Sequence, residues 1–367
     1  MTHHKIDEPD TAGTAMPDVL ARNTASVGQT RRIGNTAVEV TALALGSAPL
    51  GGLYAALSDA QAQATIDAAW EAGIRYFDTA PHYGRTKAEH RLGAALRNRP
   101  RKEFVLSTKV GRRFIATEKP YDGNDGWVDP LPFEPVYDYT YDGILRSFED
   151  SQQRLGIVDI DIVLIHDIGR YTHGDKHVQY WRQLRDQGGF RALAELRATR
   201  GVKAIGLGVN ESAAIIEAMA ECDLDCALLA GRYTLLEQAV LDELLPACEK
   251  RHVSIVIGGA FNSGILARGL DDTDKSPSTF DYGAAPSAII ERVERLQTIC
   301  RQFGVALSSA ALQFPYAHPA VATVLMGVRS ADELTRNVAA FTQPLPEALW
   351  AALKANGLLQ ATAPVPT

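Results

Sequence analysis

The sequence predicts an α/β protein, a (β/α)8 TIM barrel with long βα loops at its C-terminal face. Two observations carry this prediction. Eight short apolar runs recur along the chain, separated by helix-like segments. Each run is nearly continuous rather than alternating, as expected of parallel strands buried on both faces.

Taken in order, residues 1–28 mix Thr, Asp, Pro, Ala and His without periodicity and are expected to form a flexible N-terminal tail, leaving 29–367 as the barrel domain. The expected strands are VTALALG (40–46), IRYFDTA (74–80), FVLSTKVG (104–111), DIVLIHD (161–167), VKAIGLGVN (202–210), DCALLAGRY (225–233), VSIVIGGAF (253–261) and TVLMGVRS (323–330). Helices are expected between them, among others over 59–73, 141–156 and 293–304. A doubly wound sheet is the competing architecture. Its dinucleotide fingerprint is approached only by GLGVNE (206–211), which lacks the third glycine. Two connections, 112–139 and 269–286, exceed ordinary loop length and read as functional lids or disordered segments.

The bulk properties exclude several classes. With 46% hydrophobic and 22% charged residues, the 367-residue chain has ordinary globular composition. A net charge of -7 gives no basic footprint for nucleic acid. No apolar run approaches the roughly 18–20 residues of a membrane helix, and the polar start MTHHKIDEPDTAGT lacks a signal-peptide core. Four cysteines are too few for a disulfide scaffold at this length, so a reducing, cytoplasmic setting is expected. The expected partner is a small-molecule substrate, and the state of assembly, monomer or homo-oligomer, stays open.

In such barrels the chemistry sits at the C-terminal ends of the strands. Asp78 ends the second expected strand and Tyr83 follows in its loop; Lys109 lies near the end of the third and His166 near the end of the fourth. A tyrosine is a poor base at neutral pH, but a nearby ammonium favours the phenolate and is expected to bring its pKa below about 10. Lys109 supplies that ammonium, Asp78 keeps it protonated, and His166 orients the reacting oxygen. The set moves a proton and has nothing that accepts a hydride, so a nicotinamide cofactor is implied. Each residue alone has a bland role: a strand-end Asp caps, a strand Lys snorkels, an isolated His packs. All four gathered at three consecutive strand ends, with Asp78 and Tyr83 five apart, are hard to explain that way. His173 and His177 have helical spacing but no third ligand, so no metal site is expected. Cys222 and Cys226 read as packing residues.

GIRYFDTAPHYG (73–84), STKVG (107–111) and LIHD (164–167) resemble the Asp–Tyr–Lys–His tetrad of the aldo-keto reductase superfamily, and the resemblance spans about residues 30–345. It implies NADP- or NAD-dependent interconversion of a carbonyl and an alcohol, with Tyr83 as general acid/base and the cofactor extended over the C-terminal face. It further implies that Arg329 and Ser330 hold a 2′-phosphate, that Glu333 and Asn337 reach the adenine, that Asn210 holds the carboxamide, and that Gly264 belongs to the cofactor site. The chain departs from the family at Ala230, where many members carry Gln, and in GGAFNSGIL (258–266), which has no proline and only Phe261 as a stacking candidate.

APLGGLY (48–54), GLGVNE, LLAGRYTLLEQ (228–238) and GGAFNSGILA (258–267) resemble the branch holding L-fucose dehydrogenase, D-threo-aldose 1-dehydrogenase and pyridoxal 4-dehydrogenase. That implies oxidation of the anomeric hydroxyl of an L-fucose-like aldose to a lactone, with Tyr54 and His82 lining the pocket. The alternatives are a pyridoxal 4-dehydrogenase, a general aldehyde or ketone reductase, and, in a different class, a nucleotide-sensing regulatory subunit.

Overall fold

The computed structural model describes residues 26–123, 125–270 and 278–367, so the tail expected over 1–28 lies almost wholly outside the described residues. The described chain enters through an antiparallel hairpin, β1 (Thr30–Arg32) and β2 (Glu39–Thr41). Next come β3 (Leu43–Gly46), β4 (Tyr76–Asp78) and β5 (Val105–Val110). A second hairpin, β6 (Arg112–Ala116) and β7 (Phe133–Tyr137), follows. Then come β8 (Ile162–His166), β9 (Ala204–Val209), β10 (Cys226–Ala230) and β11 (Ser254–Gly258). A short hairpin, β12 (Thr279–Phe280) and β13 (Gly283–Ala284), precedes the last strand, β14 (Val321–Gly327).

The strands β3, β4, β5, β8, β9, β10, β11 and β14 pair in parallel and close on themselves. Each coincides with one of the eight apolar runs, and closure rules out the doubly wound sheet, which has two free edges. The helices Asp59–Glu71 and Tyr141–Leu155 stand where the periodicity puts them. The helix expected from 293 begins earlier, as Ser287–Gln302, because Pro286 at its N-cap already holds the extended backbone from which a helix starts.

The two long connections are only partly irregular. The first, 112–139, holds the β6–β7 hairpin, whose two five-residue strands flank a long connection. In 269–286, residues 271–277 lie outside the described residues, and Asp281 and Tyr282 turn the β12–β13 hairpin with φ of 47° and 63°. Positive φ at both central residues is what a tight two-residue hairpin turn demands.

Ala44, Tyr76, Ile162, Leu164, Cys226, Val256 and Leu325 fill the barrel, joined by Ile33, Val38 and Val40 from the first hairpin. That hairpin closes the N-terminal end: the Gly34 amide donates to Ser254 Oγ at 2.8 Å, and Arg31 donates to the carbonyl of Val321 at 2.6 Å. Ser254 and Val321 are the first residues of their strands, so a ligand's access is left to the opposite end. Among the described residues, no helix is long and apolar enough to cross a membrane.

Candidate active site

Alternate residues of a strand share a face. Because Tyr76 and Leu164 point into the barrel, Asp78 and His166 do too, one step nearer the C-terminal rim. Cross-strand pairing sets Asp78 beside Ser107 and Lys109 beside Leu164, which brings Asp78, Lys109 and His166 to one interior corner.

There Lys109 Nζ donates to Asp78 Oδ2 at 2.6 Å and to the Thr79 carbonyl at 3.0 Å. Ser107 Oγ donates to Asp78 Oδ1 at 2.7 Å and lies 3.0 Å from the Tyr76 hydroxyl. A Cβ on Gly208 would stand 3.0 Å from Lys109 Cε, so this glycine of GLGVNE makes room for the lysine stem. Tyr83 arrives on a tight loop that presses against the β3 loop; a Cβ on Gly51 would stand 2.7 Å from the Gly84 amide. Lys109 Nζ lies 4.7 Å from the centroid of the Tyr83 ring, and the His166 ring meets that ring edge-on at 6.0 Å. All four expected residues come together.

The electrostatics correct one expectation. Burial disfavours the Lys109 ammonium, but Asp78 and then Tyr83 outweigh it and hold the lysine protonated. For Tyr83 burial is the larger effect and pushes the phenol above its usual value of about 10, while Lys109 opposes it. The expected depression is therefore absent: desolvation of the phenolate exceeds the pull of an ammonium already paired with Asp78. Burial, then the positive charges of Arg112 and Lys109, hold His166 well below the usual imidazole range, so it is neutral. Its Nδ1 is buried without a protein partner, as is that of His82.

The surroundings are aromatic. His82 lies 5.2 Å from Trp127 and 6.4 Å from Phe114 by ring centroids, and Trp127 lies 6.0 Å from Tyr83. Trp127 Nε1 is buried and unpartnered. Tyr54, at φ 62° and 57% exposed, stands at the rim with its amide on the Gly126 carbonyl at 2.9 Å. Trp127 escaped sequence reasoning because the loop that carries it has no period.

Asn210, just beyond β9, donates through Nδ2 to Asp167 Oδ1 at 3.1 Å and accepts from the Tyr282 hydroxyl at 3.1 Å. At the other end, the helix Ala331–Thr342 follows β14. Ser330 and Glu333 act as its cap: Ser330 Oγ accepts from the Glu333 amide at 3.1 Å, and Glu333 Oε2 from the Arg329 amide at 2.9 Å. Glu333 is thus engaged locally, whereas the Arg329 side chain is exposed and Asn337 keeps a buried, unpartnered Nδ2. An anion-favouring helix start, an exposed guanidinium and an orphaned amide suit the adenosine-phosphate end of NAD(P). Gly264, with φ of 97°, heads the short helix Ile265–Arg268, and beside it Asn262 has a buried Oδ1 without a partner. Phe261 packs against the core, and Ala230 ends β10. His173 and His177 go elsewhere, to the Tyr139 hydroxyl at 3.0 Å and the Ile168 carbonyl at 3.0 Å. Among the described residues, no group of three His, Cys, Asp or Glu could hold a metal.

The model of the aldo/keto reductase family matches residues 42–356. The pyridoxal 4-dehydrogenase of Microbacterium luteolum is 50% identical over 338 residues, covering 90% of this chain and 97% of the relative. The D-threo-aldose 1-dehydrogenase of a Pseudomonas species is 41% identical, covering 86% and 93%. Among solved structures, the glycerol dehydrogenase AKR11B4 from Gluconobacter oxydans superposes with a TM-score of 0.70 at 21% identity, covering 92% of this chain and 97% of its own, a likeness of fold.

Proposed function

This chain belongs to the aldo/keto reductase family, and we propose that it oxidises the hydroxyl of a cyclic hemiacetal to a lactone, with pyridoxal as first substrate and L-fucose-like aldoses as second. NAD(P) is the cofactor and would supply the acceptor for the hydride of the hemiacetal carbon. The two relatives are named for dehydrogenation of pyridoxal at position 4 and of an aldose at position 1. An aldose closes at C1, and pyridoxal closes because a hydroxymethyl group neighbours its aldehyde, so in each the reacting carbon carries a hydroxyl and a ring oxygen.

The observation that carries the reading is the buried Lys109–Asp78 pair at 2.6 Å below the Tyr83 ring. Tyr83 takes the hydroxyl proton, Lys109 stabilises the phenolate needed for that step, and Asp78 with Ser107 fixes the ammonium. His166, neutral and with a free Nδ1, holds the reacting oxygen; its charge does not change during the step. Arg329 and Ser330, with Asn337, would hold the adenosine-phosphate end, and Asn210 the carboxamide.

Pyridoxal stands first because His82, Phe114 and Trp127 present a largely aromatic wall, which suits a planar heteroaromatic ring better than a puckered sugar. The 41% identity to an aldose 1-dehydrogenase keeps the sugar as a second substrate. A cytoplasmic location belongs to the same reading and is supported by four free cysteines.

The test is NAD(P)H formation with pyridoxal and with L-fucose, the product identified in each case, for the native chain and Tyr83→Phe. Turnover to a lactone that falls about 10²–10⁴-fold in the variant, with cofactor binding retained, is the expected result. Activity confined to reduction of open-chain aldehydes would overturn the substrate, and an active Tyr83→Phe would overturn the mechanism.

A further inference from the structure

We propose that Arg112 and Asp167 are positioning residues: their buried ion pair sets the orienting imidazole of His166, the amide of Asn210 and the aromatic wall of the pocket in register with one another. The inference rests on the roles given above to His166 and Asn210.

Asp167 follows His166 and has φ of 48°, a left-handed backbone that side chains disfavour, Asp less than most. Three groups hold it. The Arg112 guanidinium pairs with Asp167 Oδ2, Asn210 Nδ2 donates to Oδ1 at 3.1 Å, and the Tyr139 hydroxyl donates to the His166 carbonyl at 2.7 Å. Arg112 is itself buried, with the Tyr137 ring 5.3 Å from its guanidinium carbon. It is also the first residue of β6, the strand that carries Phe114 to the pocket wall. One ion pair therefore joins the end of β8, the end of β9 and the extra hairpin.

Two chemical consequences follow. Asn210 has its NH₂ engaged by a carboxylate, so its Oδ1 is turned away from Asp167; it accepts from the Tyr282 hydroxyl and has a second lone pair for a carboxamide NH₂. The reversed amide would set two acceptors against each other. In addition, Asp167 Oδ2 stands only 3.5 Å from His166 Nε2. Unneutralised, that carboxylate would draw a proton onto the imidazole; Arg112 cancels that pull and adds to the burial that keeps His166 neutral. The other charged and titratable groups facing His166 are Lys109, His82 and Tyr83. Lys109 also favours the neutral imidazole but is paired with Asp78, and burial holds His82 neutral and Tyr83 protonated, so Arg112 is the group that answers the Asp167 carboxylate.

The test compares the full-length native chain with Arg112→Ala, Arg112→Lys and Asp167→Asn. His166 titration is followed by NMR, which needs no turnover, and NADH and NADPH affinity by fluorescence. Arg112→Ala is expected to raise the His166 pKa by about one unit or more, and Arg112→Lys to restore it. Asp167→Asn, which keeps the shape but removes the charge, is expected to leave His166 neutral and to weaken cofactor binding about tenfold through Asn210. An unmoved His166 titration in Arg112→Ala together with unchanged cofactor affinity in Asp167→Asn would overturn the inference. If Arg112→Ala does not fold, as judged by circular dichroism, the Asp167→Asn and Arg112→Lys results decide alone. Tyr83→Phe separates the two levels, since turnover in that variant overturns the mechanism and leaves the titration result standing.

Discussion

Lys109 Nζ lies 2.6 Å from Asp78 Oδ2, and each side chain is 1% exposed. Two charges so deeply buried are tolerated only because each answers the other and the remaining atoms are hydrogen-bonded, here through Ser107 and the Thr79 carbonyl.

Lys109→Met removes the one ammonium that favours the Tyr83 phenolate and strands a buried carboxylate. The oxidation rate at neutral pH is expected to fall about 10²-fold or more, with part of the loss recovered at high pH because the Tyr83 ionisation moves further up. Unfolding in urea is expected to show a loss of about 3–5 kcal/mol. A rate–pH profile of unchanged shape in the variant would contradict this role.

Arg329→Ala is expected to weaken NADP binding more than NAD binding, because the exposed guanidinium is the group available to a 2′-phosphate at the start of the helix Ala331–Thr342. Fluorescence titration with both cofactors measures it. Equal losses for the two would remove the role.

Trp127→Ala opens the wall beside His82 and Tyr83. Efficiency with pyridoxal is expected to drop about three- to tenfold more than efficiency with L-fucose, the size of one aromatic contact. Parallel steady-state kinetics on the two substrates give the ratio, and a ratio that does not change would count against an aromatic subsite.

Acid is expected to destabilise the fold through its histidines. Burial lowers the pKa of His82, His90, His166, His173 and His318, His173 to about 4. The unfolded chain, with ordinary values near about 6.5, then binds more protons than the folded one, so stability is full above that pH and declines as pH falls toward about 4. Asp167 and Glu237, both raised by burial, act in the opposite sense but are two groups against five. Thermal melting between pH 7 and pH 4 should show the midpoint falling by several degrees; a midpoint constant across that range would contradict the assignment.

The barrel and the interior corner that gathers Asp78, Lys109 and His166 were legible in local pattern alone. Strand burial is written locally, in apolar runs of the right length, and a period of two fixes which residue of IRYFDTA, VLSTKVG or VLIHD faces inward at the rim. Asp78, Lys109 and His166 were legible for that reason, and Tyr83 because it follows within one short loop. What the loops do to one another was not legible in that pattern and emerged with the packing. Arg112 and Asp167 are 55 residues apart and meet because a hairpin folds back over β8. Tyr282 reaches Asn210 across 72 residues, and Trp127 reaches His82 from a loop without a period. The ionisation of Tyr83 was likewise beyond the sequence, since its sign depends on whether burial or Lys109 prevails, and burial is the sum of contacts from the whole rim. Contacts made through irregular backbone have no repeat to announce them; packing alone selects the partners.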